Sequence, residues 1–209
     1  MRHRRIVLKL SSRGILLAAC ALLATSVQAQ RPPHGTADKE FLSGFVDDLG
    51  HRVNHLSLQR PLRLVFFGYT SCPDVCPLTL AAVHQALEAL GPQADRIDAV
   101  FVTVDPGRDS VARLHSYVSA FDPRIRGYRA EPHQLDRLVR RLQVHYEREE
   151  IPGSSDYGIG HTATLFLLDR DGRLLARMYH YTDPSALSDE IQSAVWPVIG
   201  GRVTTEHGR

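Results

Sequence analysis

Two cysteines, Cys72 and Cys76, stand four residues apart in the stretch FFGYTSCPDVCPLTL, each followed by a proline. A pair at this spacing can close as a disulfide, exchange electrons with a partner, or hold a soft metal ion. On a helix, residues four apart share a face and are separated by about 6 Å along the axis. Two sulfurs so placed can converge on one ion, or form a disulfide with some local adjustment. Spacing alone does not choose among these. Closing so short a loop removes little chain entropy, which counts against a purely structural bridge.

A pair of thiolates that binds metal wants a third ligand, and the chain holds 11 histidines. His84 follows Cys76 by eight residues on the same helical face, but that is about 12 Å, too far for bonds near 2 Å. His51, His55, His115, His133, His145 and His180 have no special context. His161 differs. It ends the Gly- and Ser-rich segment SSDYGIGH and directly precedes the apolar run ATLFLLD.

The elements around these residues follow from the hydrophobic pattern. FLSGFVDDLGHRV reads as a strand pair turning near Asp48 and Gly50. LRLVFF (62–67) and DAVFVTV (98–104) are apolar runs without alternation, as expected of strands buried on both faces. LTLAAVHQALEAL (78–90) has helical periodicity and stops at Gly91 and Pro92. DSVARLHSYVSAF (109–121) is a helix that Asp109 or Ser110 can cap. PHQLDRLVRRLQ is another helix. ATLFLLD and RLLARMYHY flank a turn at Arg170, Asp171 and Gly172. A last helix runs from Pro184 to about Val195.

Strands alternating with helices predict an α/β fold, a three-layer sandwich with a mixed sheet and an added N-terminal β-hairpin. Sites in such sheets lie beyond the carboxyl ends of the parallel strands. The cysteines fall there, between the strand at 62–67 and the next helix. The strand after His161 is expected near that first strand, which carries the histidine toward the cysteines.

The first 29 residues read as a segment apart. Five basic residues and no acid precede the run GILLAACALLATSV, with small residues Val27 and Ala29 placed for cleavage. That is the layout of a secretory signal. An uncleaved membrane anchor and a lipoprotein box at LAAC, ending in Cys20, are the alternatives, and all three place the domain outside the cytoplasm. Residues 1–29 hold five of the 25 Lys and Arg and none of the 23 Asp and Glu, which leaves a net charge of −3 for the remainder. No basic stripe remains to bind nucleic acid. Residues 30–40 read as a linker, 41–196 as the functional domain and 197–209 as a tail.

Three segments resemble the Sco/SenC family of copper-binding assembly factors for cytochrome c oxidase: FFGYTSCPDVCPLTL, VTVDPGRDSVARLHSYVSAFDPRIRG (102–127) and GHTATLFLLDRDGRLL (160–175). The resemblance implies a thioredoxin-like fold over residues 41–196, with Cys72, Cys76 and His161 as copper ligands. Asp105 also matches. The family usually has an acid immediately before the histidine, and this chain has Gly160, so one supporting or docking contact is in question. Two thiolates suit Cu(I), and an imidazole beside them accommodates Cu(II) as well; zinc would accept the same donors.

The leading expectation is a metallochaperone, rather than an enzyme, that gives copper to the CuA centre of an oxidase subunit at the periplasmic face of the inner membrane. An upstream copper donor and an external thiol reductant are its further implied partners. The alternative is a thiol–disulfide oxidoreductase in which Cys72 and Cys76 form a redox-active pair. A three-residue spacer, and the missing proline in HTATLF, set the chain apart from ordinary thioredoxin-like reductases. A peroxiredoxin-type peroxidase ranks third, because Tyr69 and Pro73 stand where that chemistry places Thr or Ser.

Overall fold

The structure, a computed structural model, describes residues 41–54, 57–58, 60–179 and 184–199, the last helix without its side chains at 184 and 195–199. The expected leader, with Cys20, the linker at 30–40, His55, His180 and the end of the tail lie outside the described residues. No helix among the described residues is long and apolar enough to cross a membrane.

The chain runs β1 (Val46–Asp47), β2 (Leu62–Gly68), α1 (Val75–Leu90), a 3-10 helix (Gly91–Arg96), β3 (Ile97–Thr103), α2 (Val111–Ser119), β4 (Ile125–Arg129), α3 (Pro132–Leu142), β5 (Tyr146–Glu150), β6 (Tyr157–His161), β7 (Leu165–Asp169), β8 (Leu174–Met178) and α4 (Pro184–Ile199). Six strands form a mixed sheet in the order β1-β4-β3-β2-β7-β8, and β5 and β6 form a separate two-stranded sheet. β2, β3 and β4 are parallel neighbours, while β7 lies antiparallel on the other side of β2.

All seven residues of β2 are buried because both faces of the sheet are covered. Leu62, Leu64 and Phe66 pack with residues of α1, α2 and α4. Val65 and Phe67 pack on the opposite face, with Phe41, Phe45, α3 and Ile159. The three layers expected from the sequence are present. The N-terminal hairpin is shorter than its pattern predicts: two residues of β1 pair with β4, and Val46 bridges Arg52 around a turn closed by Gly50 N–H donating to the Asp47 carbonyl. Gly50 sits at φ +87°, in the left-handed region that favours glycine.

Three elements escape the sequence pattern. β4 is only five residues of mixed character, IRGYR. β5 and β6 carry charge and glycine where a buried strand would carry apolar residues. α1 also starts earlier than its periodicity, at Val75, since Pro77 is tolerated in a first turn.

Two polar anchors hold the frame. Arg63 is 2 % exposed within the otherwise apolar β2. Its guanidinium donates to the carbonyls of Asp169, Arg170 and Leu58 at 3.0, 2.6 and 2.9 Å, which makes its burial tolerable. Asp122, after α2, takes bonds from His84 Nδ1 at 2.8 Å and from Arg124 on both carboxylate oxygens. Burial alone would raise the Asp122 carboxyl, but the Arg124 and His84 bonds outweigh it and hold the group well below the usual carboxylate range.

Arg63→Met should destabilise the domain by about 2–4 kcal/mol, because it leaves the buried Leu58 carbonyl without this donor and loses two bonds to the end of β7 and the turn after it. Chemical denaturation at neutral pH measures it. For Asp122, the depressed folded-state pKa means that its stabilisation is fully present above the unfolded value of about 4 and is lost as the pH falls below it. Asp122→Asn should therefore lower stability at pH 7 and flatten the acid limb of the stability–pH curve below about pH 4. A parallel downward shift at every pH would contradict this.

Candidate metal centre

The site gathers at the carboxyl ends of β2 and β3. Cys72 lies in the loop after β2, and Cys76 lies in the first turn of α1. Because β7 runs antiparallel to β2, with Val65 opposite Phe166, the residues just before β7 lie beside the end of β2. His161, the last residue of β6, is delivered there, as the sequence argument expects. It stands on a strand paired with Tyr146, however, and not in a loop. Alternation in YGIGH was the available signal, obscured because glycine fills its outward positions.

The Cys72 sulfur, the Cys76 sulfur and a His161 ring nitrogen lie within 4.8 Å of one another. Cys76 Sγ is 3.2 Å from His161 Nε2, and the Cys76 N–H points at Cys72 Sγ at 3.4 Å. Cys72 Sγ thus does for α1 what an N-cap oxygen ordinarily does, since Asp74 at the cap position makes no side-chain bond. Both cysteines are free thiols; Cys76 is buried, whereas Cys72 and His161 are half-buried.

Burial pushes the Cys76 thiol up, with Cys72 reinforcing the shift. At Cys76 desolvation therefore outweighs the preference for thiolate that a helix N-terminus supplies. Burial also lowers the His161 imidazole, opposed by its bond to the Thr162 carbonyl. That bond, from Nδ1 at 3.2 Å, leaves Nε2 as the free lone pair facing Cys76. Burial thus disfavours an ion pair between this thiol and this imidazole, and a metal ion held by the Cys76 sulfur would have to displace its proton.

The backbone makes room for the buried sulfur. A Cβ at Gly68 would lie 2.7 Å from Cys76 Sγ and 2.7 Å from the Phe101 ring. Asp109 is the supporting residue that sequence reasoning missed. It was a candidate cap for α2, yet Ser110 fills that role by accepting from Arg113 N–H. The Asp109 carboxylate is instead fully buried and accepts from the backbone and hydroxyl of Thr70 and from the Thr103 hydroxyl, tying the cysteine loop to β3. Arg113 then donates to the hydroxyls of Thr70 and Ser71.

Among the described residues, no other histidine joins this group of donors. His51 and His115 pair with Asp47 and Asp48. His84, with Glu88 and Asp122, makes a second group of close donors. Arg124 occupies both of its carboxylates, which are thereby already engaged in ion pairs. His145 lines a shallow depression of 440 Å³ beside His161, with Glu147, Glu149, Gly160 and Thr162.

The family profile described as SCO1/SenC matches residues 32–196. The chain belongs to the SCO1/SenC family. It is 33% identical over 135 residues to the SCO2-like protein RP587 of Rickettsia prowazekii (strain Madrid E), an alignment that covers 64% of this chain and 66%, just under two thirds, of that protein. Among solved structures it resembles Bradyrhizobium japonicum ScoI with copper bound, at 34% identity and TM-score 0.65 over 72% of this chain and 95% of that one. It also resembles Arabidopsis thaliana ScoI with copper bound, at 26% identity and TM-score 0.69, covering 78% and 98% of the two chains. The thioredoxin-like fold expected of a SCO1/SenC member is the fold observed.

Gly160 stands immediately before the histidine. The Glu149 side chain, from the facing strand, lies where a Cβ at Gly160 would project. A side chain at 160 would have to displace that carboxylate, so the ground left open by glycine is held by an acid from β5.

Gly68→Ala tests the packing of the site. The new methyl group should push Cys76 Sγ and the Phe101 ring apart and destabilise the domain by about 1–3 kcal/mol. Metal affinity should fall with it, measured by titration on the folded fraction.

Proposed function

We propose that this chain is an extracytoplasmic copper carrier in which Cys72, Cys76 and His161 bind the ion, and that it serves assembly of the CuA centre of cytochrome c oxidase. The observation that carries the reading is the convergence of two sulfurs and one imidazole nitrogen within 4.8 Å, in a chain whose structural relatives include copper-bound ScoI proteins. Copper is cargo here. Two thiolates give a soft trap for Cu(I), and the imidazole extends the site to Cu(II). Half-buried Cys72 and His161 leave one side of the centre open to ligand exchange with an acceptor, while buried Cys76 stays as the inner anchor.

The remaining parts of the reading follow. Residues 1–29 export or anchor the chain, and 41–196 form the copper domain. The partners are a copper-accepting oxidase subunit, an upstream copper donor and a thiol reductant, since thiols outside the cytoplasm are prone to oxidation. A second reading is favoured by the unequal burial of the two sulfurs. Cys72 is accessible to attack a partner's disulfide, and Cys76 is placed to resolve the mixed disulfide. Two electrons would pass to the partner, leaving Cys72 and Cys76 bonded to each other.

Titration of the reduced protein with Cu(I), Cu(II) and zinc should give one copper per chain, bound in preference to zinc. Cys72→Ser and Cys76→Ser should each abolish tight Cu(I) binding without unfolding the domain. His161→Ala should weaken Cu(II) binding more than Cu(I) binding, because thiolates alone can hold Cu(I). Unchanged affinities in all three variants would sink the copper reading. Rapid reduction of a partner's disulfide by metal-free protein would favour the second reading.

A further inference from the structure

The β5–β6 hairpin that carries His161 has no ladder to the six-stranded sheet. The β7–β2 pairing brings His161 to the right end of the sheet, but no register fixes β6 itself against that sheet, so side-chain contacts set its final position. Ile159, buried in the core, gives its N–H to the Tyr69 hydroxyl at 3.2 Å. The start of β6 is held from the loop after β3. Arg108 donates to the Tyr157 carbonyl at 2.9 Å and forms ion pairs with Asp105 and Asp156. Its guanidinium carbon lies 3.5 Å from the Tyr157 ring centroid, and that of Arg148 lies 3.7 Å from the same centroid. Two guanidinium carbons so close to one ring require opposite faces, so Tyr157 is clamped between two cations. The Tyr157 hydroxyl completes the clamp by donating to Asp105 at 2.9 Å.

The loop that presents Arg108 also presents Asp109, which ties down Thr70 of the cysteine loop. One five-residue segment, 105–109, thus supports both halves of the site. Asp109 holds the sulfur side and Arg108 the histidine side. Tyr157, which Arg108 grips, precedes His161 by four residues, about 13 Å along an extended strand, and the Arg108 guanidinium carbon also lies 5.7 Å from the ring centroid of Tyr69.

We propose that Arg108, acting through Tyr157, is a positioning residue of the metal centre that sets how closely His161 approaches the cysteine pair, and hence how well the centre holds Cu(II) relative to Cu(I). The proposal rests on the copper reading above. Lysine cannot replace Arg108, because only a planar fork bonds two carboxylates and a carbonyl while lying on an aromatic ring.

The experiment compares the wild-type chain with Arg108→Lys, Tyr157→Phe, His161→Ala and the Arg108→Lys/His161→Ala double variant. Affinities for Cu(I) and Cu(II) are measured, with the thiolate-to-Cu(II) absorption band and with amide hydrogen exchange of residues 158–161 in metal-free protein. Arg108→Lys should lower Cu(II) affinity about tenfold, shift the absorption band and change Cu(I) affinity by less than about threefold. Tyr157→Phe, which removes only the bond to Asp105, should do the same to a smaller degree. In the His161→Ala background, Arg108→Lys should add no further loss of Cu(II) affinity, because its effect runs through the missing ring. Exchange at 158–161 should quicken in Arg108→Lys. An unchanged Cu(II) affinity and band, an equal loss for both copper ions, or a full additional loss in the double variant would each overturn the proposal. If the wild-type chain binds no copper, the copper reading fails by itself, and hydrogen exchange decides the placement of the hairpin: unchanged exchange in Arg108→Lys overturns it.

Discussion

The antiparallel pairing of β7 with β2 is the constraint on which the centre depends. Cys76 and His161 are 85 residues apart in the chain, yet 3.2 Å apart in space. β3 and β4 extend the sheet on one side of β2 in parallel, so their following loops gather at the same end. β7 takes the other side of β2 and runs the opposite way, so its beginning, not its end, lies at that point. Any other direction for β7 would leave the histidine at the far end of the sheet.

Once the donors are brought together, the chemistry is set by partial burial. Cys76 is 2 % exposed and belongs to the core that also holds Val65, Phe67 and Tyr69. Burial there favours a neutral thiol and a neutral imidazole over an ion pair. A cation changes the balance, since its charge compensates the thiolate that forms when the proton leaves. The apolar surroundings of Cys76 enclose the site on one side.

Support for the donors comes from polar groups buried around the sheet ends rather than from extended ladders. Asp109 accepts three bonds in full burial, and Asp105 receives Arg108 and Tyr157. Such networks are directional and saturable, so they fix positions where apolar packing would allow sliding. Exposed Glu149, by contrast, only reaches across the hairpin into space that a side chain at 160 would need.

The SCPDVC spacing and the well-placed histidine narrowed the chemistry, and the resemblance of their segments to a copper-binding family chose within it. The unbroken apolar runs of β2 and β3 were enough to read the layered α/β architecture, because those signals are local and periodic. Ser110 as a cap and the β7–β8 turn were legible for the same reason. β4, β5 and β6 were not, since their residues alternate weakly and owe their extended form to pairing with distant segments. The role of Asp109 was hidden behind a plausible cap, and that of Arg108 behind a turn-forming DPGRD, because hydrogen-bond partners 39 to 49 residues away leave no mark on local pattern. The sequence by itself determined which side chains can bind a soft ion. Only the tertiary structure decided that two sulfurs and one imidazole nitrogen share a volume a few ångströms wide, because their distance depends on strand order and direction, which no local spacing encodes.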